Sequence, residues 1–200
     1  LSAMGKNLIT RDDILPMTEF SKIRRAKRQE LVAIKENRRV PVGPDATFYF
    51  ENRDTMWFQI HEMLFIEQGG EEQIAGELEA YNPMIPNGLE LVATLMFEVD
   101  DPTRRAGLLA ALGGVEKTVT LRFAEHVIFA RAEDDVDRNT AKGKASSVQF
   151  LHFSFTKPQI VAFCELNNQV VIGLGHPSYS HMAVLPRATQ LALGADFNKL

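Results

Sequence analysis

The sequence predicts an α+β domain: a largely antiparallel sheet of about six strands packed with helices, one of them central and apolar. Three observations predict it. Leu89, Leu91, Ala93, Leu95, Phe97 and Val99 alternate with the period of a strand. Met56 to Ile66 is apolar on nearly every side at helical length, which marks a buried helix. Strand patterns adjoin one another through turns instead of alternating singly with helices, which argues against a βαβ series. At 200 residues, 45% hydrophobic and 24% charged, the chain can bury a core without staples.

Element by element, Thr10 and Asp13 form a short capped turn. Ser21 is placed as cap of a basic helix whose inward face is Ile23, Ala26, Leu31 and Ile34. Pro41 stops that helix, and Pro41 to Pro44 is read as a turn before the strand Thr47–Phe50. Asn52 or Asp54 caps a helix from Thr55 to Gln68, which Gly69-Gly70 ends. A helix over 71–80 stops before Pro83, and the strand Leu89–Val99 follows. Asp101-Pro102 opens a helix to Leu112. Strands are expected at 118–123, 127–132, 148–155, 169–174 and 182–185, with helices at 158–167 and 187–193 and a turn over 175–180. Residues 8–200 are read as one domain, residues 1–7 as a tag remnant or disordered start, and 133–147 as a mobile loop.

Charge and cysteine usage narrow the class. No leader pattern and no run near the ~20 apolar residues of a membrane span is visible, and the single Cys164 excludes an internal disulfide, so a cytoplasmic protein with no membrane contact is expected. Between Lys22 and Arg39, eight basic residues face two acidic ones, a net +6; the chain total of −4 leaves −10 for the remainder. That helix invites a nucleic-acid reading, but a pI of 5.8 makes nucleic acid the weaker partner and a solvated helix complementing an acidic body the stronger reading.

Two places could carry chemistry. On the apolar helix, Thr55, Gln59 and Glu62 share one stripe, and a carboxylate there is at the surface, paired, or placed for function. Asn52, Arg53 and Asp54 enter at the same helix's N-terminus, where backbone N–H groups favour an anion. The second place is Gly173-Leu174-Gly175-His176-Pro177-Ser178-Tyr179-Ser180-His181, which could supply a base, metal ligands or anion contacts. Glu62 with His176 and His181 is the metal or acid–base set to test, although the histidine spacing matches no zinc motif. Tyr81, Asn82 and Tyr179 join Asn52, Arg53, Asp54 and Gln59 as ligand-binding candidates. His152, among Phe150, Phe153 and Phe155, reads as a hydrogen-bonded core histidine, and Cys164 as an inert buried thiol. Gly113 to Thr118 lacks phosphate-loop spacing, and the chain carries no haem, iron–sulfur or nucleotide motif, which leaves its cofactor unknown.

Glu51 to Thr55, Gln59-Ile60, Glu62-Met63, the run Tyr81-Asn82-Pro83-Met84-Ile85-Pro86-Asn87-Gly88, Ala93 to Met96, Ser147 to Phe153 and His176 to Tyr179 together resemble the bacterial domain-of-unknown-function family 3501 from about Leu8 onward. That family has no assigned activity, so the resemblance transfers no catalytic residue. The resemblance implies a gene neighbourhood that often includes rubrerythrin-like and iron–sulfur reductase-like proteins, and with it a redox context. One cysteine holds no cluster, and Phe65 stands where a di-iron Glu-x-x-His pair needs histidine, so this chain would serve as a partner.

Three functions follow as expectations. The first is an accessory or ligand-binding protein beside a redox system, with a homo-oligomer or partner contact through the apolar helix. The second is a small-molecule enzyme using Glu62 with the His176/His181 turn. The third is nucleic-acid binding through residues 22–39.

Overall fold

The structure, a computed structural model, describes residues 8–133 and 145–198. The expectations for residues 1–7 and for most of the 133–147 loop lie outside the described residues.

The α+β class and the antiparallel pairing hold, with the strands divided between two sheets. Strands β1 (Arg39–Val42), β2 (Ala46–Phe50), β3 (Glu90–Phe97), β6 (Arg131–Ala132) and β7 (Val148–Ser154) form the first, in the order β1-β2-β3-β7-β6. Strands β4 (Val119–Phe123), β5 (His126–Phe129), β8 (Val171–His176) and β9 (Tyr179–Val184) form the second, in the order β5-β4-β8-β9. β3 is central and buried on both faces, so its alternation divides residues between two cores instead of between core and water.

One core lies between the sheets, where Phe48, Phe50, Leu91, Leu95, Leu121, Ile172 and Phe153 meet α5 (Lys157–Cys164) and α6 (Arg187–Gly194) through Ile160, Phe163 and Leu193. On the other face of the first sheet, Val92 packs under α2 (Arg53–Glu67) and α3 (Gly70–Tyr81), with Met56, Ile60, Leu64 and Ile74 buried. Burying each of these large side chains contributes about 1.5–3 kcal/mol. α1 (Met17–Glu36) crosses α2 through Phe20, Leu31 and Phe58. Helix α2 is therefore the expected central helix, and most of its apolar surface is covered within the chain; of its large apolar residues, Ile66 stays open.

Local differences have local causes. α1 begins after Pro16, whose fixed φ suits a helix start, and Ser21 lies inside it, its hydroxyl returned to the Thr18 carbonyl. Pro41 is tolerated in β1 because β1 is an edge strand. The strand expected over 127–132 breaks at Ala130, where the chain leaves the second sheet and joins the first as β6. The turn expected over 175–180 is tighter: His176 pairs with Tyr179, leaving Pro177-Ser178 as its tip. α4 (Pro102–Ala111) starts at Asp101, whose carboxylate accepts the Arg104 N–H. No helix among the described residues is long and apolar enough to cross a membrane.

Candidate functional site

Glu62 is buried, and its partners come from the basic helix. Arg24 donates Nε to Oε1 at 2.6 Å and Nη2 to Oε2 at 2.8 Å, and Arg28 donates Nη2 to Oε2 at 2.8 Å. Arg24 also lies over the Phe65 ring, 4.5 Å from its centroid. Hydrogen bonds from Arg24, ahead of those from Arg28, hold the Glu62 carboxyl below its usual range despite burial. A carboxylate so depressed and so occupied is a poor proton carrier at neutral pH. Its effect is on the arginines. Two guanidinium groups are pinned at one edge of α1, and Arg28, its side chain 58% exposed, keeps donors turned to water.

The same edge extends along α1. Lys22, Arg25, Arg28, Gln29 and Val32 recur at helical spacing and all are exposed. Lys22, Arg24, Arg25 and Arg28 thus form a cationic strip on the surface of α1, on an otherwise acidic chain. Of the eight basic residues from Lys22 to Arg39, Arg38 is the one withdrawn into the protein. It is 4% exposed, donates to the Phe50 and Glu51 carbonyls at 3.0 Å, and is paired with Asp196. Burial pushes the Asp196 carboxyl up against the pull of Arg38.

The residues at the start of α2 separate into cap and cleft. Asn52 accepts the Thr55 N–H at 2.9 Å and the Thr55 hydroxyl accepts the Asn52 N–H at 2.9 Å, a reciprocal cap. Arg53 pairs with Asp13 at 2.8 Å, while Asp54 is exposed. Arg53 and Asp54 line a 370 Å³ groove with Lys27, Leu31, Ile34 and Trp57. They also line a 190 Å³ polar pit with Asn52, Pro86 and Asp196.

The remaining candidates hold the fold. Asn82 clamps Ile9 with two 2.9 Å bonds, to its N–H and from its own amide to the carbonyl. Gln59 reaches the Tyr81 hydroxyl at 3.5 Å. The buried Tyr179 hydroxyl donates to the Val42 carbonyl at 2.8 Å and accepts the Asp45 and Ala46 N–H groups at 2.9 Å, tying the β1–β2 turn to β9. His181 packs its ring on Tyr179, and His176 Nδ1 accepts the Ser178 N–H at 3.2 Å. Glu62 lies on α2 with the arginines of α1, and both histidines lie on the β8–β9 hairpin of the second sheet. The proposed set of Glu62, His176 and His181 is therefore not brought together, and no group of three or more His, Cys, Asp or Glu side chains suited to a metal occurs among the described residues. Cys164 is not the buried thiol expected. It ends α5 at the surface, although partial burial still pushes its thiol up.

Three polar groups escaped the sequence reading. His61, fully buried against Trp57 and Phe20, places Nδ1 2.7 Å from the Trp57 carbonyl and accepts the Leu15 N–H on Nε2 at 3.0 Å. These partners make it a neutral ring with Nδ1 protonated, and burial pushes its pKa down. Glu51 is buried at the β2–α2 junction and accepts the Thr55 and Thr94 hydroxyls at 2.6 and 2.7 Å. Arg38 looked like one more member of the basic run. For Glu62 itself a signal existed: Phe20, Arg24 and Leu31 fall on one side of α1, so Arg24 borders the buried face.

The family model described as "Protein of unknown function (DUF3501)" matches residues 8–197. The chain belongs to this family. A solved structure, described as a novel protein of unknown function from Burkholderia pseudomallei K96243, is 35% identical, with a TM-score of 0.88 over 95% of this chain and 99% of that one. No curated protein matches. That structure thus shares the fold of this DUF3501 chain without naming an activity.

Proposed function

We propose that this DUF3501 protein is an accessory protein that docks an acidic partner protein through the cationic strip of α1. The supporting observation is the grip of Glu62 on Arg24 and Arg28, which fixes two guanidinium groups beside Lys22 and Arg25. Preset cations lose less side-chain freedom on meeting carboxylates, which favours steering and register over raw affinity. Nucleic acid suits the strip less well, because a nucleic-acid module usually has a basic domain overall and this chain has a pI of 5.8. The redox neighbourhood implied by the family resemblance makes an acidic rubrerythrin-like protein the partner to test first.

The test is titration calorimetry of the full chain against that protein and, separately, against a 20-base-pair DNA duplex, at low and physiological salt. Expected is saturable binding to the protein that weakens with salt and is lost in Arg25→Glu/Arg28→Glu, with weaker binding to DNA. Tighter binding to DNA would replace the reading with a nucleic-acid one. Binding to neither, or binding indifferent to the double substitution, would end it.

A further inference from the structure

His152 is a buried imidazole held between carboxylates from two other strand regions. On β7 its side chain is 6% exposed, with Nδ1 3.2 Å from Glu90 Oε2 on β3 and Nε2 3.5 Å from Glu133 Oε1, one residue past β6. Glu90 is buried too, and among the described residues this ring is its side-chain partner. Nε2 is buried without a hydrogen bond. Other charges stand apart from the ring. Arg131, its register partner on β6, is exposed. Val92, opposite His152 on β3, belongs to the apolar cluster of Ile9, Met84 and Ile85. Glu51, which reaches Thr94 on that same face of β3, is taken up by the Thr55 and Thr94 hydroxyls.

A neutral imidazole carries one N–H and one lone pair, so it can donate to one of the two carboxylates while turning its lone pair on the other. An imidazolium carries two donors, one toward each, and its charge strengthens both bonds. What hangs on the second bond is β6. It is an edge strand of two residues, Arg131–Ala132, and beyond it the Glu133 N–H donates to the Phe150 carbonyl at 3.1 Å. So short an edge strand has few backbone bonds to resist local opening.

We propose that His152 is a proton-operated latch on β6. As an imidazolium it bonds Glu90 and Glu133 at once and clamps the edge strand to β7. As the neutral ring it keeps Glu90 and lets Glu133 go. The clamped state needs the proton, so clamping is strongest at the acid end of the range in which imidazoles titrate, about pH 5–8, and weakens as the pH rises. The first sheet thus has a pH-sensitive edge where the chain arrives from the second.

Amide hydrogen exchange of the full chain, read residue by residue by NMR from about pH 5.5 to 8, tests the latch independently of any partner. The reporter is the Glu133 N–H. The reference is the Glu51 N–H, bonded to the Val92 carbonyl at 2.8 Å beside the centre of the same sheet. Expected is that protection of Glu133 relative to Glu51 falls at least ~10-fold as the pH rises. In Glu133→Gln, whose amide can accept from the charged ring or donate to the neutral one, the fall should shrink below about twofold. The Glu133 side chain is 27% exposed, so this substitution leaves the core intact. Protection that stays level or rises with pH, or a fall of the same size in Glu133→Gln, overturns the proposal.

Discussion

Arg24 grips Glu62 at two points, Nε on Oε1 at 2.6 Å and Nη2 on Oε2 at 2.8 Å, where α1 crosses α2. Removing the carboxylate leaves two arginines without their counter-ion at a partly buried seam. Glu62→Gln is expected to cost about 2–3 kcal/mol at pH 7, measured by urea unfolding. Because the folded carboxyl lies below its ordinary value near 4.5, its contribution is present above that pH and lost as pH falls through the folded value. Wild type and Glu62→Gln should therefore converge in acid; equal stability at pH 7 would mean that the pair contributes nothing net.

His61 gives a dependence in a different window. Burial lowers its folded pKa from the usual 6.5, so the unfolded chain takes up the proton first and stability declines as pH drops below about 6.5. His61→Phe preserves the ring stack on Trp57 but leaves the Leu15 N–H without its acceptor, at about 1–3 kcal/mol. Thermal melts between pH 5 and 8 should show a shallower pH slope in the variant. An unchanged slope would assign the titration elsewhere.

How much of this was legible in the sequence depends on what kind of contact sets each feature. β3, α2 and its Asn52 cap follow from period and capping chemistry, which are local. The division into two sheets rests on one residue, Ala130, where pairing changes partner, and no local pattern marks it. Glu62 was singled out correctly as an anomaly on an apolar helix, but its partners lie 34 and 38 residues away, beyond any spacing rule. The Glu62–His176–His181 grouping failed for the same reason: residue type suggests a ligand set, while only topology decides whether its members meet.

Tyr179 tests a structural against a ligand-binding role. Tyr179→Phe removes one donor and one acceptor from three buried backbone groups, with an expected cost of about 3 kcal/mol and no effect on binding at α1. His181→Ala, on the same strand but exposed, should cost well under about 1 kcal/mol. Chemical denaturation separates the two, and a mild Tyr179→Phe would contradict the clamp.

Gly43 turns the β1–β2 hairpin with φ +71°, and a Cβ there would lie 2.6 Å from the His181 ring. Gly43→Ala is expected to destabilise by about 2 kcal/mol or more, from the backbone conformation and the clash together. In Gly43→Ala/His181→Ala the loss should be partly recovered, leaving the conformational share and the clash with the Tyr179 hydroxyl, 2.7 Å from that Cβ. Full additivity of the two substitutions would place the turn away from β9.

The passage from Phe129 to Arg131 through Ala130 works as a stitch. One continuous backbone belongs to both sheets within three residues, so neither can be peeled away without unpairing the other. The molecule should melt in one cooperative step, and a polypeptide severed at that seam should yield no half that stands alone.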